Sequence, residues 1–160
     1  MEFTHPFFTW LEQSWLGTSV NNSLWAFAVI ESVHLLALAV IGGAVLLVDL
    51  RLLGLGLRRQ SVAQVARDAE PWLVGSLLCM ILTGVPLLAS LAASKYYVHD
   101  AFWAKMLFFG LAILFTFTIR RKVIYMDDAR VSPAVSKAVA IVSVLLWSGV
   151  GIAGRGIGFY

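Results

Sequence analysis

Residues 24–48 read LWAFAVIESVHLLALAVIGGAVLLV and run directly into Asp49, Leu50 and Arg51. Only Glu31 and His34 in that stretch are ionisable. Hydrocarbon offers the backbone no water, so a chain crosses a bilayer as a helix of about 20 mostly apolar residues. The stretch therefore predicts a transmembrane helix. A secretory signal would place basic residues ahead of a shorter apolar core. No Lys or Arg precedes Arg51, so the segment is expected to remain in the mature protein.

Working outward, residues 72–92, 102–119 and 135–153 meet the same criterion. The expectation is an all-α membrane protein, a four-transmembrane-helix bundle over 24–153, preceded by residues 1–23 and followed by a short tail at 154–160. Composition agrees: 60% of the 160 residues are apolar and 13% charged, with a mean hydropathy of +0.86. A soluble domain carries roughly half and a quarter, so that class is excluded. The net charge of +3 comes from two short basic clusters between apolar runs. It reports topology, and nucleic acid is not an expected partner. The single cysteine, Cys79, excludes an intrachain disulfide and any cysteine-built zinc or iron–sulfur site. It reads as a small core residue.

Orientation follows from the basic residues. Arg51, Arg58, Arg59 and Arg67 lie in the link after the first span; Arg120, Arg121, Lys122, Arg130 and Lys137 lie in the link after the third. Nine of the twelve thus fall on one side, leaving Lys95, Lys105 and Arg155. The positive-inside bias puts both termini outward, in the periplasm of a bacterium, with the chain in the inner membrane. Residues 6–16, PFFTWLEQSWL, are too short to span and suit an interfacial amphipathic helix in the outer headgroup layer, followed by a cap region at 18–23. Tyr96, Tyr97, Trp103, Phe159 and Tyr160 would join an aromatic belt at that level. The GRGIG run at 154–158 predicts irregular backbone. Span, basic link, span occurs twice, which reads equally as a weak internal repeat or as the likeness any four-span chain shows.

A charge near the bilayer centre costs about 2.5 to 3.5 kcal/mol, so ionisable groups inside spans need a partner or a purpose. Glu31 and His34, three apart, share one helix face. His34 lies seventeen residues from Arg51 and Lys105 fifteen from Arg120, or about 25 and 22 Å at 1.5 Å per residue. They should stand at similar height in the outer half, with Glu31 one turn above and within reach of a Lys ammonium. Thr83 and Gly84 precede Pro86, whose ring clashes with the Leu82 carbonyl and should kink the second span. Glu31, His34, Thr83, Lys105 and Ser148 thus form an expected polar layer beside a pocket.

Each member has a plainer reading. A Glu31–Lys105 pair could simply fix helix register. His34 could ligate haem or another metal, serve proton or quinone chemistry, or make a structural hydrogen bond. His99 reads as a solvated loop residue or as a second axial ligand, although about 9 Å of helix rise above Lys105 would require a steeply inclined macrocycle. His5 reads as surface, Gly42-Gly43 as a close helix approach, and Asp49 as paired with Arg51 at the inner boundary.

The runs Glu31-Ser32-Val33-His34, Leu47 to Gly54, Thr83-Gly84, Tyr96-Tyr97 and Phe102 to Lys105 resemble a group of small four-span bacterial membrane proteins of unknown function. That likeness covers nearly the whole chain. At fewer positions the chain is similar to the copper-resistance protein D family and to the four-helix membrane protoporphyrinogen oxidases of haem synthesis. Those oxidases share a first-span histidine, a Leu/Arg-rich inner end and a third-span Trp/Lys pattern; His34, Trp103 and Lys105 occupy the matching places. The resemblance implies haem binding at His34. The oxidases carry more tyrosine and histidine around the first-span arginine, where this chain has Leu52-Leu53-Gly54. Copper carriers show further histidine or methionine ligands near the outer mouth, and here Met80 and Met106 are isolated.

The leading expectation is a haem b protein acting in electron transfer, alone or as a quinone-coupled subunit. His34 would be the axial metal ligand, Lys105 or His99 the second ligand or a propionate contact, and Glu31, Thr83 and Trp103 its surroundings. A copper-handling protein, a purely structural subunit and a porphyrinogen oxidase are the alternatives. Expected partners are the lipid bilayer, a quinone or other redox subunits, and a second copy of the chain.

Overall fold

The computed structural model describes residues 5–56, 59–126 and 131–159, and every element among them is helical. Arg58, Arg130, Tyr160 and the side chain of Phe159, named above for topology and the aromatic belt, lie outside the described residues. Two short helices, α1 (His5–Gln13) and α2 (Trp15–Asn21), precede the long ones: α3 (Ala26–Leu52), α4 (Val62–Ser90), α5 (Asp100–Phe115) and α7 (Pro133–Gly156). Helix α5 continues through a π-helical turn, Thr116–Arg120, into α6 (Arg121–Ile124). The four rods Ala26–Leu52, Val62–Ser90, Asp100–Ile124 and Pro133–Gly156 are each long and apolar enough to cross a membrane.

Serine side chains start these helices. Ser61 Oγ accepts the Gln64 amide at 3.2 Å, and Ser132 Oγ accepts that of Val135 at 3.3 Å, with Pro133 in the first turn. Each satisfies an amide that the helix leaves without a partner. Helix α4 begins ten residues before the apolar window at Trp72. Its first turns are amphipathic: Val65, Ala66 and Ala69 are buried against Val48 and Leu52, while Arg67 and Asp68 point out. Packing lengthens the helix beyond what hydropathy reads. Pro71 and Pro86 both lie within α4.

Three local expectations are corrected. The stretch at 6–16 is two helices, because Ser14 donates to the Leu11 carbonyl at 2.6 Å and caps the Gly17 amide, ending one helix and starting the next. Thr18 lies inside α2 rather than in a cap, and Ser23 Oγ accepts the Ala26 amide at the start of α3. The glycine-rich tail is helical through Gly156 and then 3-10 over Ile157–Phe159. Its glycines let α7 lie close to α5: a Cβ on Gly156 would touch Ala101 at 3.4 Å. Packing rather than local propensity decides that backbone.

Helix α3 packs on α4, α5 on α7, and α3 on α7, whereas the backbones of α4 and α5 scarcely meet. Helix α1 and the end of α7 lie at one end of the bundle, where Phe8 of α1, Ala92, Phe102 and Ile157 share an apolar cluster. Toward the other end a buried ion pair ties α3 to the third rod. Arg120 Nε donates to Asp49 Oδ1, and Arg120 Nη2 to the Val45 carbonyl at 3.2 Å. Asp49 is therefore not paired with Arg51, which donates to the Gln60 carbonyl at 2.8 Å. Residues two apart on a helix diverge by about 200°, so those two side chains never face each other. On the surface nearby, Arg121 bonds to Glu70, which also accepts from the Tyr125 hydroxyl.

Candidate functional site

The half of the bundle nearer the termini encloses a cavity of about 530 Å³ between α3, α4, α5 and α7. Glu31 and His34 line it from α3, Gly84 from α4, Lys105 from α5 and Gly154 from α7. Tyr96 and Phe102 close the terminal end; Met80 and Phe109 lie at the opposite one, joined to the main core.

His34 is the buried member, 8% exposed. Its Nδ1 stands 2.9 Å from Thr83 Oγ1, and that hydroxyl donates to the Cys79 carbonyl at 2.7 Å. A hydroxyl has one proton, so with it spent on Cys79 the oxygen accepts from Nδ1–H. Proton accounting therefore leaves the imidazole lone pair on Nε2. Gly84 makes the approach possible, because a Cβ there would lie 3.2 Å from His34 Cε1. The ring rests on bare α4 backbone.

Lys105 runs its stem past Gly154, whose added Cβ would meet Lys105 Cδ and Cε at 3.6 Å. No ion pair joins it to Glu31: among the described residues the pairs are Arg120–Asp49 and Arg121–Glu70. The expected Glu31–Lys105 bridge is thus corrected. Both side chains border the cavity, one from α3 and the other from α5.

Of the residues singled out by sequence, the fold brings Glu31, His34 and Lys105 around one space, with Thr83 behind the imidazole. It carries Trp103 and His99 elsewhere. The Trp103 indole donates to the Tyr97 carbonyl at 3.0 Å and packs edge-on against Phe8 and Phe102. His99 precedes α5, its carbonyl accepting the Phe102 amide, and is not among the cavity walls. Reading the sequence missed three polar lining residues, Lys95, Tyr96 and Arg155. Two were assigned to the outer boundary and the third to an irregular tail. The usable signal was spacing: Gly151, Gly154, Arg155 and Gly158 recur at helical intervals on one face of the last segment. Burial raises the Tyr96 hydroxyl above its ordinary pKa, and the Glu31 carboxylate adds to the shift. Tyr96 therefore faces the cavity as a neutral hydroxyl.

Among the described residues no three His, Cys, Asp or Glu side chains come together as a metal-binding group. The site offers one fixed imidazole, two lysine ammoniums, the Arg155 guanidinium and a carboxylate at the edge of an apolar space.

A family model covers residues 7–160, from α1 through the last turn. The chain belongs to DUF6644, a family of unknown function. No curated protein and no solved structure compared with the chain matches it. The DUF6644 match takes in the short terminal helices, all four long rods and every wall of the cavity, so the site lies wholly within the family's extent.

Proposed function

We propose that this DUF6644 protein binds haem b in the cavity, with His34 as an axial ligand, and serves one-electron transfer in a bacterial inner membrane. The observation that carries the reading is the Thr83–His34 bond. Metal-ligating histidines commonly commit their other ring nitrogen to a hydrogen bond that fixes tautomer and orientation. Here Thr83 takes Nδ1 and leaves the Nε2 lone pair available.

The residues present fit a tetrapyrrole better than a bare ion. A copper or zinc ion needs three or four protein ligands, and no such group stands among the described residues. A macrocycle brings four nitrogens of its own and asks the protein for one or two more. The cavity falls within the roughly 300–1,000 Å³ common for cofactor pockets, and Leu38, Met80 and Phe109 give it apolar walls. Lys95 and Lys105 suit two carboxylates, and Lys105 is also the candidate second ligand. Haem, when bound, supplies a reversible iron couple. The chain's own part is to hold the imidazole, screen it from water and neutralise acidic groups.

Topology supports the placement. Nine of twelve basic residues lie in the links between spans 1 and 2 and spans 3 and 4, which favours termini on the periplasmic side. Phe7, Trp10, Trp15 and Trp25 are exposed on and beside α1 and α2, as suits a headgroup layer. The likeness to protoporphyrinogen oxidases adds a narrower reading, but Trp103 turns away from His34 and Lys105, so the three matching positions do not share one wall.

The test is the absorption spectrum of the protein purified in mild detergent after haem-replete expression. A Soret band lost in His34→Ala is expected. No band, or a band unchanged in that variant, overturns the reading.

A further inference from the structure

We infer that the cavity takes its occupant sideways from the bilayer, through the seam between α4 and α5, as an amphiphile with an acidic head and an apolar body. This deepens the preceding reading by naming a route and a ligand class. It rests on that reading only in taking the cavity as the binding site.

The end of the cavity nearest the chain termini is roofed. Leu88, Tyr96, Phe102 and Ile157 line the space and also pack into the cluster built on Phe8, Ala92 and Phe102. That roof is strapped down by α1 and α2. Glu12 Oε2 accepts the amides of Ala93 and Ser94 at 2.6 and 2.9 Å, in the π-helical turn Ala92–Tyr96. Asn21 Nδ2 donates to the Ser90 carbonyl at 2.7 Å, at the end of α4. At Gly17 an added Cβ would stand 2.6 Å from the Ala89 carbonyl oxygen, so α2 lies directly on α4 backbone. The opposite end is closed by Met80 and Phe109, which belong to the core.

The sides differ. Helices α3 and α4 are packed along their lengths, as are α5 and α7, but α4 and α5 have almost no backbone contact. Along that seam Ile81 and Val85 of α4 and Met106 of α5 line the cavity and are still 43%, 48% and 38% exposed. Leu35 of α3 lines the cavity too and is 56% exposed, so exposure does not by itself choose a side; the scarcity of backbone contact between α4 and α5 does. In a four-span chain that seam faces acyl chains.

Charge gives the ligand class. Lys95, in the roof turn, Lys105, on α5, and Arg155, on α7, line the cavity against a single carboxylate among the described residues, Glu31, so cations outnumber anions where a carboxylate or phosphate head would make charge-assisted hydrogen bonds. Leu38, Met80 and Phe109 below them offer nothing polar. An acidic head therefore sits toward the roof and an apolar body reaches down past the seam.

The probe is a long-chain fatty acid with a diazirine near its tail, added to vesicles holding the full chain, with labelled peptides mapped after irradiation. Expected labelling reaches the cavity residues Met80 and Phe109, saturates, and is displaced by an unlabelled long-chain acid. Displacement by water-soluble butyrate or inorganic phosphate instead would overturn the lipid route. So would floor labelling of equal strength by a phosphatidylcholine bearing the same diazirine chain. Val85→Trp combined with Met106→Trp narrows the seam and should slow floor labelling about tenfold, the effect of ~1.4 kcal/mol of added barrier. Leu82→Trp and Leu107→Trp add the same bulk to lipid-facing positions outside the cavity walls and should leave the rate unchanged. Equal slowing by both pairs, or by neither, overturns the seam as the route. Met106→Trp alone serves if the double variant fails to match the wild-type thermal midpoint. Floor labelling without any Soret band would sink the haem reading and leave the route standing; a Soret band in protein whose haem-depleted form shows no floor labelling would do the reverse.

Discussion

Arg120 Nε donates to Asp49 Oδ1 at 2.8 Å, with 4% and 0% of the two side chains exposed. The pair joins α3 to the third rod across 71 residues of sequence. Taking one partner away strands a buried charge, at a cost of about 3–5 kcal/mol, whereas replacing both by apolar groups is often close to neutral. Asp49→Leu and Arg120→Met should each lower the thermal midpoint in detergent sharply, and the double variant should recover most of the loss. Additive losses would mean the two charges do not depend on each other.

Thr83 should matter through His34 alone. Thr83→Val keeps the shape and removes the acceptor of Nδ1–H, so the imidazole loses its fixed tautomer. Loss of such a supporting bond typically costs about 10–100-fold in metal-centre affinity. Haem titration followed at the Soret band is expected to show that weakening, with Thr83→Ser close to wild type. A valine variant that binds equally well would remove Thr83 from the site.

Glu12 makes the roof acid-sensitive. Burial opposes its ionisation, but the amides of Ser94 and Ala93 outweigh burial and hold its pKa below the ordinary value of 4.5. A carboxylate depressed in the folded state contributes stability above its unfolded pKa and loses it as pH falls through the folded value. The window thus opens near 4.5 and extends downward. Glu12→Gln should flatten the thermal midpoint against pH across that window. An unchanged slope would show that the amide bonds do not persist in solution.

Gly17 and Gly75 form a contrasted pair. A Cβ at Gly17 would meet backbone oxygens of Glu12 and Ala89 at 2.5 and 2.6 Å, while at Gly75 nothing lies within 4 Å. Backbone cannot swing aside as a side chain does, so Gly17→Ala should cost about 1–3 kcal/mol, as overpacking does. Faster protease cleavage around α2 is the expected readout. Gly75→Ala should leave both stability and cleavage unchanged.

Much of the candidate site was legible because the bilayer makes polarity conspicuous. Glu31, His34 and Lys105 stand out in apolar runs, and counting rise from Arg51 and Arg120 places His34 and Lys105 at one level. Both do line one cavity. The same counting failed for their partners. It joined Glu31 to Lys105 and Asp49 to Arg51, where the fold forms no ion pair between the first two and gives Asp49 to Arg120. Trp103 was read into the site from the resemblance and His99 from its place beside the third span, yet the Trp103 indole bonds to the Tyr97 carbonyl and neither residue lines the cavity.

The number and rough limits of the spans were readable from one dimension, because in hydrocarbon each helix satisfies its own backbone and needs only length and apolar content. Which faces meet was a matter for three dimensions. Helices α3 and α5 are apolar around almost their whole circumference, so no hydrophobic stripe announces the buried side. That choice falls to close contacts between distant residues: Gly84 under the His34 ring, Glu12 on the amides of Ala93 and Ser94, and Asp49 against Arg120. Steric fit and paired polar groups select those neighbours, and neither property belongs to any single segment of the chain.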